Sequence, residues 1–251
     1  MKVSIITATY NSAETIAVCM ASVLNQTYSN IEYIIVDGGS KDATIEVIKK
    51  ATTSNTNVVF KSEPDQGIYD ALNKGVQRAT GDVIGFVHSD DFLANPNIIA
   101  DIVEQFTTEG VDGVYGDLHY VAFDDTDKII RNWVSQPFTK KLLKQGWMPA
   151  HPTLFLKKHI YDTYGSFNIN YKIAADYDFI LRIFKQADLR FFYLNKTIIK
   201  MRVGGVSNNS IKNIIKKTKE DLKAVRGNDI GGFGTIFLKN VTKLKQFKSK
   251  N

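Results

Sequence analysis

Four short apolar runs, at residues 3–8, 31–36, 58–61 and 83–87, punctuate the first third of the chain. Between them, apolar residues recur at helical spacing: Ile16, Met20, Val23 and Leu24, then residues 43–50, then Ile68, Leu72, Val76 and Ala79, the last face ended by Gly81. Strands that are apolar almost throughout and alternate with helices predict a parallel sheet covered on both faces. Asn11 and Glu14 have the spacing of a capping box ahead of the first helix.

After residue 91 the texture changes. Residues 114–123 and 128–134 flank the acidic stretch 124–127, which predicts an antiparallel hairpin. Beyond it the pattern predicts a helix near 138–145, a strand near 152–156, a helix over 176–186 and strands near 190–194 and 197–203. The fold class is therefore α/β: a Rossmann-like, nucleotide-binding mixed sheet flanked by helices, with a C-terminal helical extension. Residues 1–205 are expected as the main domain, divided into a nucleotide-binding half (1–115) and a mixed half (116–205). Residues 206–251 form a basic amphipathic tail, in which Phe237, Val241, Leu244 and Phe247 recur at three or four residues beside Lys239, Lys243, Lys245, Lys248 and Lys250. Such a helix either packs on its own domain or lies on a lipid surface.

With 43% apolar and 23% charged residues, the 251-residue chain can bury a sizeable core, which excludes general disorder. Its single cysteine, Cys19, excludes an intramolecular disulfide scaffold and a cysteine metal cluster and favours the cytosol. No apolar stretch approaches the roughly 20 residues of a membrane span, and Ser4, Thr7 and Thr9 interrupt the start before a signal-peptide core could form. The net charge of +6 is uneven: eleven Lys or Arg against three Asp or Glu from 205 to 251 give that end +8, leaving −2 on the remainder. An anionic surface, lipid or nucleic acid, suits the tail.

Ligands of open parallel sheets bind where strands end at their carboxyl side. Those ends carry residues 7–11, 37–40, 63–67 and the pair Asp90–Asp91. Neither a GxGxxG fingerprint nor a GxxxxGK[ST] loop is present, which weighs against dinucleotide redox enzymes and P-loop NTPases. Adjacent Asp90 and Asp91 repel unless solvated or bound to a cation. A hard divalent ion would suit them, and a simple turn before Asn95 and Pro96 would too.

Five segments in concert carry more. SIITATYN (residues 4–11), IIVDGGSKD (34–42), SEPDQGIYDALNKG (62–75), GDVIGFVHSDD (81–91) and AADYDFILR (174–182) resemble glycosyltransferase family 2, inverting enzymes of the GT-A fold, over roughly residues 1–205. The resemblance implies that the backbone around Thr7, Ala8, Thr9 and Tyr10 cups the donor's base and ribose, and that Asp37 accepts a hydrogen bond from the base. A uracil imide suits a carboxylate, which favours a UDP-sugar. Asp65, Gly67 and Asn73 match a second donor-contact segment, although Leu72 stands where many members have arginine.

By the same resemblance Asp90 touches the ribose, Asp91 holds a Mn2+ or Mg2+ ion on the diphosphate, and His151 lies near the diphosphate or the acceptor. Asp176 is the catalytic base, preceded by Ala175 where the family often has glutamate. Arg202, with Gly204, Gly205 and Ser207, falls where a loop closes over the diphosphate. His88, where an aspartate is frequent, is given no metal role.

The implied reaction is transfer of a sugar to a hydroxyl of a glycan or polyprenyl-diphosphate-linked acceptor in cell-surface polysaccharide synthesis. The protein would work in the cytoplasm, peripherally attached through its basic tail to the anionic inner face of the plasma membrane. Two rivals remain at this point. A sugar nucleotidyltransferase would need a glycine- and lysine-rich loop after the first strand, which residues 9–12 lack. A nucleic-acid-binding protein would spread its charge along a groove with interleaved aromatics, whereas here it gathers in one tail, so no nucleic acid is expected as partner.

Overall fold

The computed structural model describes residues 1–53, 55, 57–204 and 211–245. Four parallel strands come first: β1 (Val3–Thr9), β2 (Ile31–Asp37), β3 (Val58–Ser62) and β4 (Val83–Phe86). Helices α1 (Ile16–Leu24), α2 (Thr44–Thr52) and α3 (Ile68–Arg78) connect them. The short β5 (Asp91–Leu93) leads to α4 (Ile98–Thr108), and the hairpin is β6 (Gly113–Val121) with β7 (Ile129–Trp133). There follow α5 (Lys140–Lys144), a 3-10 turn (His151–Thr153), β8 (Phe155–Lys157), α6 (Lys158–Tyr164), α7 (Ala175–Phe184), β9 (Phe191–Arg202), α8 (Ile211–Gly227) and α9 (Phe233–Lys245). Among the described residues one mixed sheet runs β3-β2-β1-β4-β8-β6-β9-β5, with β7 beside β6.

Alternation explains why the central strands are apolar at nearly every position. Ile5, Tyr33 and Ile35 point into one cluster with Ile16, Met20, Ile48, Ile99 and Ile102 of α1, α2 and α4. Ile6, Ile34 and Val36 point into the other, with Leu72, Val76, Ile160, Ile180, Phe184 and Val225. Each fully buried isoleucine contributes about 1.5–3 kcal/mol. Gly75 lets α3 settle on β1, because a Cβ there would lie 2.4 Å from Ile6.

The structure departs from the sequence expectations in several places. Asn11 does not cap α1; it adopts φ 49° and its Oδ1 accepts from the Lys41 backbone N–H at 2.9 Å, while the helix starts at Ile16. The loop therefore turns toward β2 instead of entering a helix directly. Residues 151–153 form a 3-10 turn rather than strand, Pro152 lacking the N–H a ladder needs. The two strands expected at 190–203 are one, β9, irregular against β6 near Asp117.

The C-terminal helices pack on the body through α7. Lys239, one of the lysines of the amphipathic pattern, is half-buried: its Nζ lies 3.0 Å from Asp221 and 3.1 Å from the centroid of the Tyr177 ring. Phe237 and Val241 of the apolar stripe face outward. Gly205, Ser207, Phe247, Lys248 and Lys250, and the side chains of Lys243, Leu244 and Lys245, lie outside the described residues. Among the described helices none is long and apolar enough to cross a membrane.

Candidate active site

The parallel register brings the carboxyl ends of β1, β2 and β3 side by side, with Thr9 opposite Asp37 and Asp37 opposite Ser62. Asp37 is fully buried. Its Oδ2 accepts from the backbone N–H groups of Gly39 and Ser40, each at 3.0 Å, and from Ser62 Oγ at 2.6 Å, while Oδ1 accepts from the Ser40 hydroxyl. The carboxylate thus organises the turn after β2, and a base reaching it would have to displace the Ser40 hydroxyl. Asp65 closes over this turn: a Cβ on Gly38 would sit 2.3 Å from its Oδ2, and its Oδ1 accepts from Gly67 N–H at 2.8 Å.

At the carboxyl end of β1, Thr7 and Ala8 belong to the interior. Thr7 is fully buried, its hydroxyl 2.7 Å from Val87 O and 3.0 Å from the Tyr33 hydroxyl. Thr9, whose buried hydroxyl has no partner, and Tyr10, 56% exposed, reach the rim. Ser12 Oγ lies 2.9 Å from Ser89 Oγ, joining this loop to the turn after β4.

That turn carries the adjacent carboxylates. Asp90 is half-buried, whereas Asp91 begins β5, paired with β9, and is fully buried with neither oxygen hydrogen-bonded. Burial pushes the Asp91 carboxyl well above the usual carboxylate range, and Asp90 adds to the rise while Arg202 opposes it. Arg202 is itself committed here, donating from Nη1 to the Asp90 carbonyl at 2.7 Å and lying over the Phe92 ring. It pins the carboxylate turn, a role distinct from the expected phosphate contact.

Across the rim, Asp176 lies in the first turn of α7. Its Oδ2 is 3.1 Å from His151 Nδ1 and its Oδ1 is 3.2 Å from the Tyr69 hydroxyl, which also reaches the Ile173 carbonyl at 2.7 Å. Burial lowers the His151 pKa from its ordinary value, with Asp176 pulling upward and Lys217 downward. Beside it, His88 is lowered to about 4 by burial and by the neighbouring His151. His88 feels both Asp90 and Asp176, and Tyr120 feels both Asp91 and Asp176, so the two acidic centres share one electrostatic neighbourhood.

Asp176, His88, His151 and Tyr69 edge a cavity whose wall is otherwise apolar, including Leu72, Phe86, Phe167 and Phe179. Asn73 is not in its lining. Its amide is spent on Phe167, donating to the carbonyl at 2.8 Å and accepting from the N–H at 3.0 Å, so it shapes the wall from behind. Sequence reasoning passed over Tyr69, although it lies inside the segment 62–75, because a tyrosine beside an apolar helical face reads as core.

The family described as Glycosyl transferase family 2 matches residues 4–166. The chain belongs to glycosyl transferase family 2. It is 31% identical over 218 residues to a PGL/p-HBAD biosynthesis glycosyltransferase of Mycobacterium bovis, covering 85% of this chain and 82% of that one. Among solved structures, S. aureus TarS 1-349 in complex with UDP superposes with a TM-score of 0.70 at 19% identity, over 100% of this chain and 73% of that one. The mannosyltransferase PcManGT from Pyrobaculum calidifontis, in complex with GDP-Man and Mn2+, superposes with a TM-score of 0.64 at 16% identity, over 98% and 69%. The fold is GT-A and the protein is a glycosyltransferase, which sets aside both the nucleotidyltransferase and the nucleic-acid-binding readings.

A divalent cation fits the site. Among the described residues no three His, Cys, Asp or Glu side chains form a cage. A buried carboxylate without a hydrogen-bond partner beside a half-exposed one would instead suit an ion that takes few protein oxygens.

Proposed function

We propose that this glycosyltransferase moves a sugar from a nucleotide-sugar, a UDP-sugar by preference, to a hydroxyl of a glycan or lipid-linked acceptor with inversion at the anomeric carbon. The observation that carries the reading is Asp176, held by Tyr69 and His151 at the edge of a cavity that His88 also lines. An in-line displacement needs one base on the acceptor side and no covalent nucleophile. On this reading Asp176 is that base: with its orientation fixed by two neighbours, the carboxylate takes the proton from the acceptor hydroxyl as oxygen attacks. His151 Nδ1, 3.1 Å from Oδ2, helps to orient that carboxylate.

On the donor side, the ends of β1 and β2 and the turn after β3 offer Thr9, Tyr10, Asp37 and Asp65 to the nucleoside. Asp90 and Asp91 would hold a Mn2+ or Mg2+ ion, which when bound neutralises charge on the departing diphosphate. UDP in the TarS complex and GDP-Man with Mn2+ in PcManGT support a nucleoside diphosphate and a cation on this fold.

The exposed face of the C-terminal helices, with Phe233 and Phe237 about 70% open beside the excess of positive charge, suits the anionic leaflet where lipid-linked acceptors reside. The test is a calorimetric panel of UDP-, GDP- and dTDP-sugars with and without manganese, followed by transfer assays on Asp176→Asn. Transfer is expected to fall about 10²- to 10⁴-fold with nucleotide binding kept, the usual size of a general-base contribution. Full activity in the variant would put the base elsewhere.

A further inference from the structure

The segment that presents Asp176 is held from the C-terminal extension. Residues 172–174 lead into α7, and their three consecutive backbone N–H groups converge on one side chain, Glu220 of α8. Lys172 N–H donates to Oε1 at 3.1 Å and to Oε2 at 3.0 Å, Ile173 N–H to Oε2 at 2.8 Å, and Ala174 N–H to Oε2 at 3.0 Å. Successive amides directed at one carboxylate form a strong anion cradle, and hydrogen bonds to a charged acceptor are about twice as strong as neutral ones. On its other side the same segment is fixed by the Tyr69 hydroxyl at the Ile173 carbonyl.

Glu220 does not hang free. The next residue, Asp221, binds Lys217 at 2.8 Å and Lys239 of α9 at 3.0 Å, and Lys239 seats on the ring of Tyr177, the neighbour of Asp176. Directly after the end of α8, Asn228 Nδ2 donates to Asp178 Oδ1 at 3.0 Å. The structure therefore ties α8 to the chain on both sides of Asp176, to residues 172–174 before it and to Asp178 after it. None of these partners falls within residues 4–166, where the family match lies.

We propose that Glu220 is a positioning residue for transfer: through residues 172–174 it sets where the Asp176 carboxylate stands in the cavity, making the C-terminal helix pair part of the active-site architecture. The inference rests on Asp176 being the base. Without Glu220 three amides lose their acceptor, the entry to α7 shifts, and a displacement of about 1 Å at the carboxylate costs on the order of 10²-fold in rate. Nucleotide binding, which the proposed function assigns to the ends of β1, β2 and β3, is expected to be unchanged.

The experiment uses the full chain and the variants Glu220→Gln, Glu220→Ala and Asp176→Asn. kcat and KM are measured with the best donor of UDP-glucose, UDP-galactose and UDP-N-acetylglucosamine, UDP affinity by calorimetry with manganese chloride, and folding by thermal melts. Glu220→Ala is expected to lower kcat about 10- to 100-fold with UDP affinity within twofold of the parent. Glu220→Gln, whose amide oxygen still accepts, should recover part of the loss. A parental kcat in both Glu220 variants alongside an inactive Asp176→Asn overturns the positioning role and leaves the base in place. An active Asp176→Asn removes the base reading itself. Equal losses of kcat and UDP affinity in Glu220→Gln would show general damage to the fold and also overturn the proposal.

Discussion

Replacing Glu32 with glutamine should destabilise the protein by about 2 kcal/mol at neutral pH, and the loss should fade in acid. Glu32 sits at the start of β2, opposite Ser4 of β1. Its Oε2 accepts from Ser4 Oγ at 2.6 Å and Thr80 N–H at 2.8 Å, and its Oε1 from Lys2 Nζ at 2.8 Å and Thr80 Oγ1 at 2.6 Å. Burial raises the carboxyl pKa, but the bonds from Lys2, Ser4 and Thr80 outweigh it and bring it from 4.5 down to about 2. At about 1.36 kcal/mol per pKa unit the difference amounts to about 3 kcal/mol, and water around Lys2, 39% exposed, trims it to about 2 kcal/mol.

A carboxylate whose folded pKa lies below its unfolded one contributes its full stabilisation above pH 4.5 and loses it as pH falls toward 2. Urea and thermal unfolding of Glu32→Gln should therefore show a midpoint about 4–8 °C below the parent at pH 7, with the gap narrowing below pH 4.5. Because this cluster joins β1, β2 and the turn before β4 at the end of the sheet remote from the active site, activity per folded molecule should be retained. A variant as stable as the parent at pH 7, or a gap of constant size down to pH 3, would refute the reasoning.

Asp91→Asn should abolish the thermal stabilisation that manganese plus UDP gives the parent, while raising the melting temperature of the metal-free protein by a few degrees, since a buried carboxylate without a partner is removed; unchanged stabilisation by manganese and UDP would move the cation site elsewhere. Tyr69→Phe should lower kcat about tenfold with donor KM unchanged, as the single hydroxyl proton that the Ile173 carbonyl and Asp176 Oδ1 share is lost for little change in packing; a parental kcat would remove Tyr69 from the site. The double variant Phe233→Ser/Phe237→Ser should cosediment at least tenfold more weakly with vesicles containing phosphatidylglycerol, each phenyl ring leaving an apolar surface; equal cosedimentation would exclude this face.

What the sequence determined by itself is the layered α/β frame and the places where polar residues interrupt it. The runs at 3–8, 31–36 and 83–87 had to become central strands, because residues apolar on both alternating faces can be satisfied only between two helical layers. Polar residues at their ends then fall on one rim, which is why Asp37 and Asp90 could be singled out before any coordinates. The match of five separate segments to a family added Asp176, which no local pattern distinguishes from a helix-capping aspartate.

Only the tertiary structure decided what each of these groups touches. Asn73 turned its amide to Phe167, Arg202 to the Asp90 carbonyl, and Asp37 to its own turn, because a polar group that can reach a backbone partner in the fold makes that bond. The grouping of Asp176 with Tyr69, His151 and Glu220 spans residues 69 to 220, a set of contacts between segments far apart in the chain. Such contacts arise from the closing of the sheet and the docking of α8. No local periodicity encodes them, so nothing in the basic tail's own pattern shows that Glu220 of α8 accepts from the backbone N–H groups of residues 172–174 at the entry to α7.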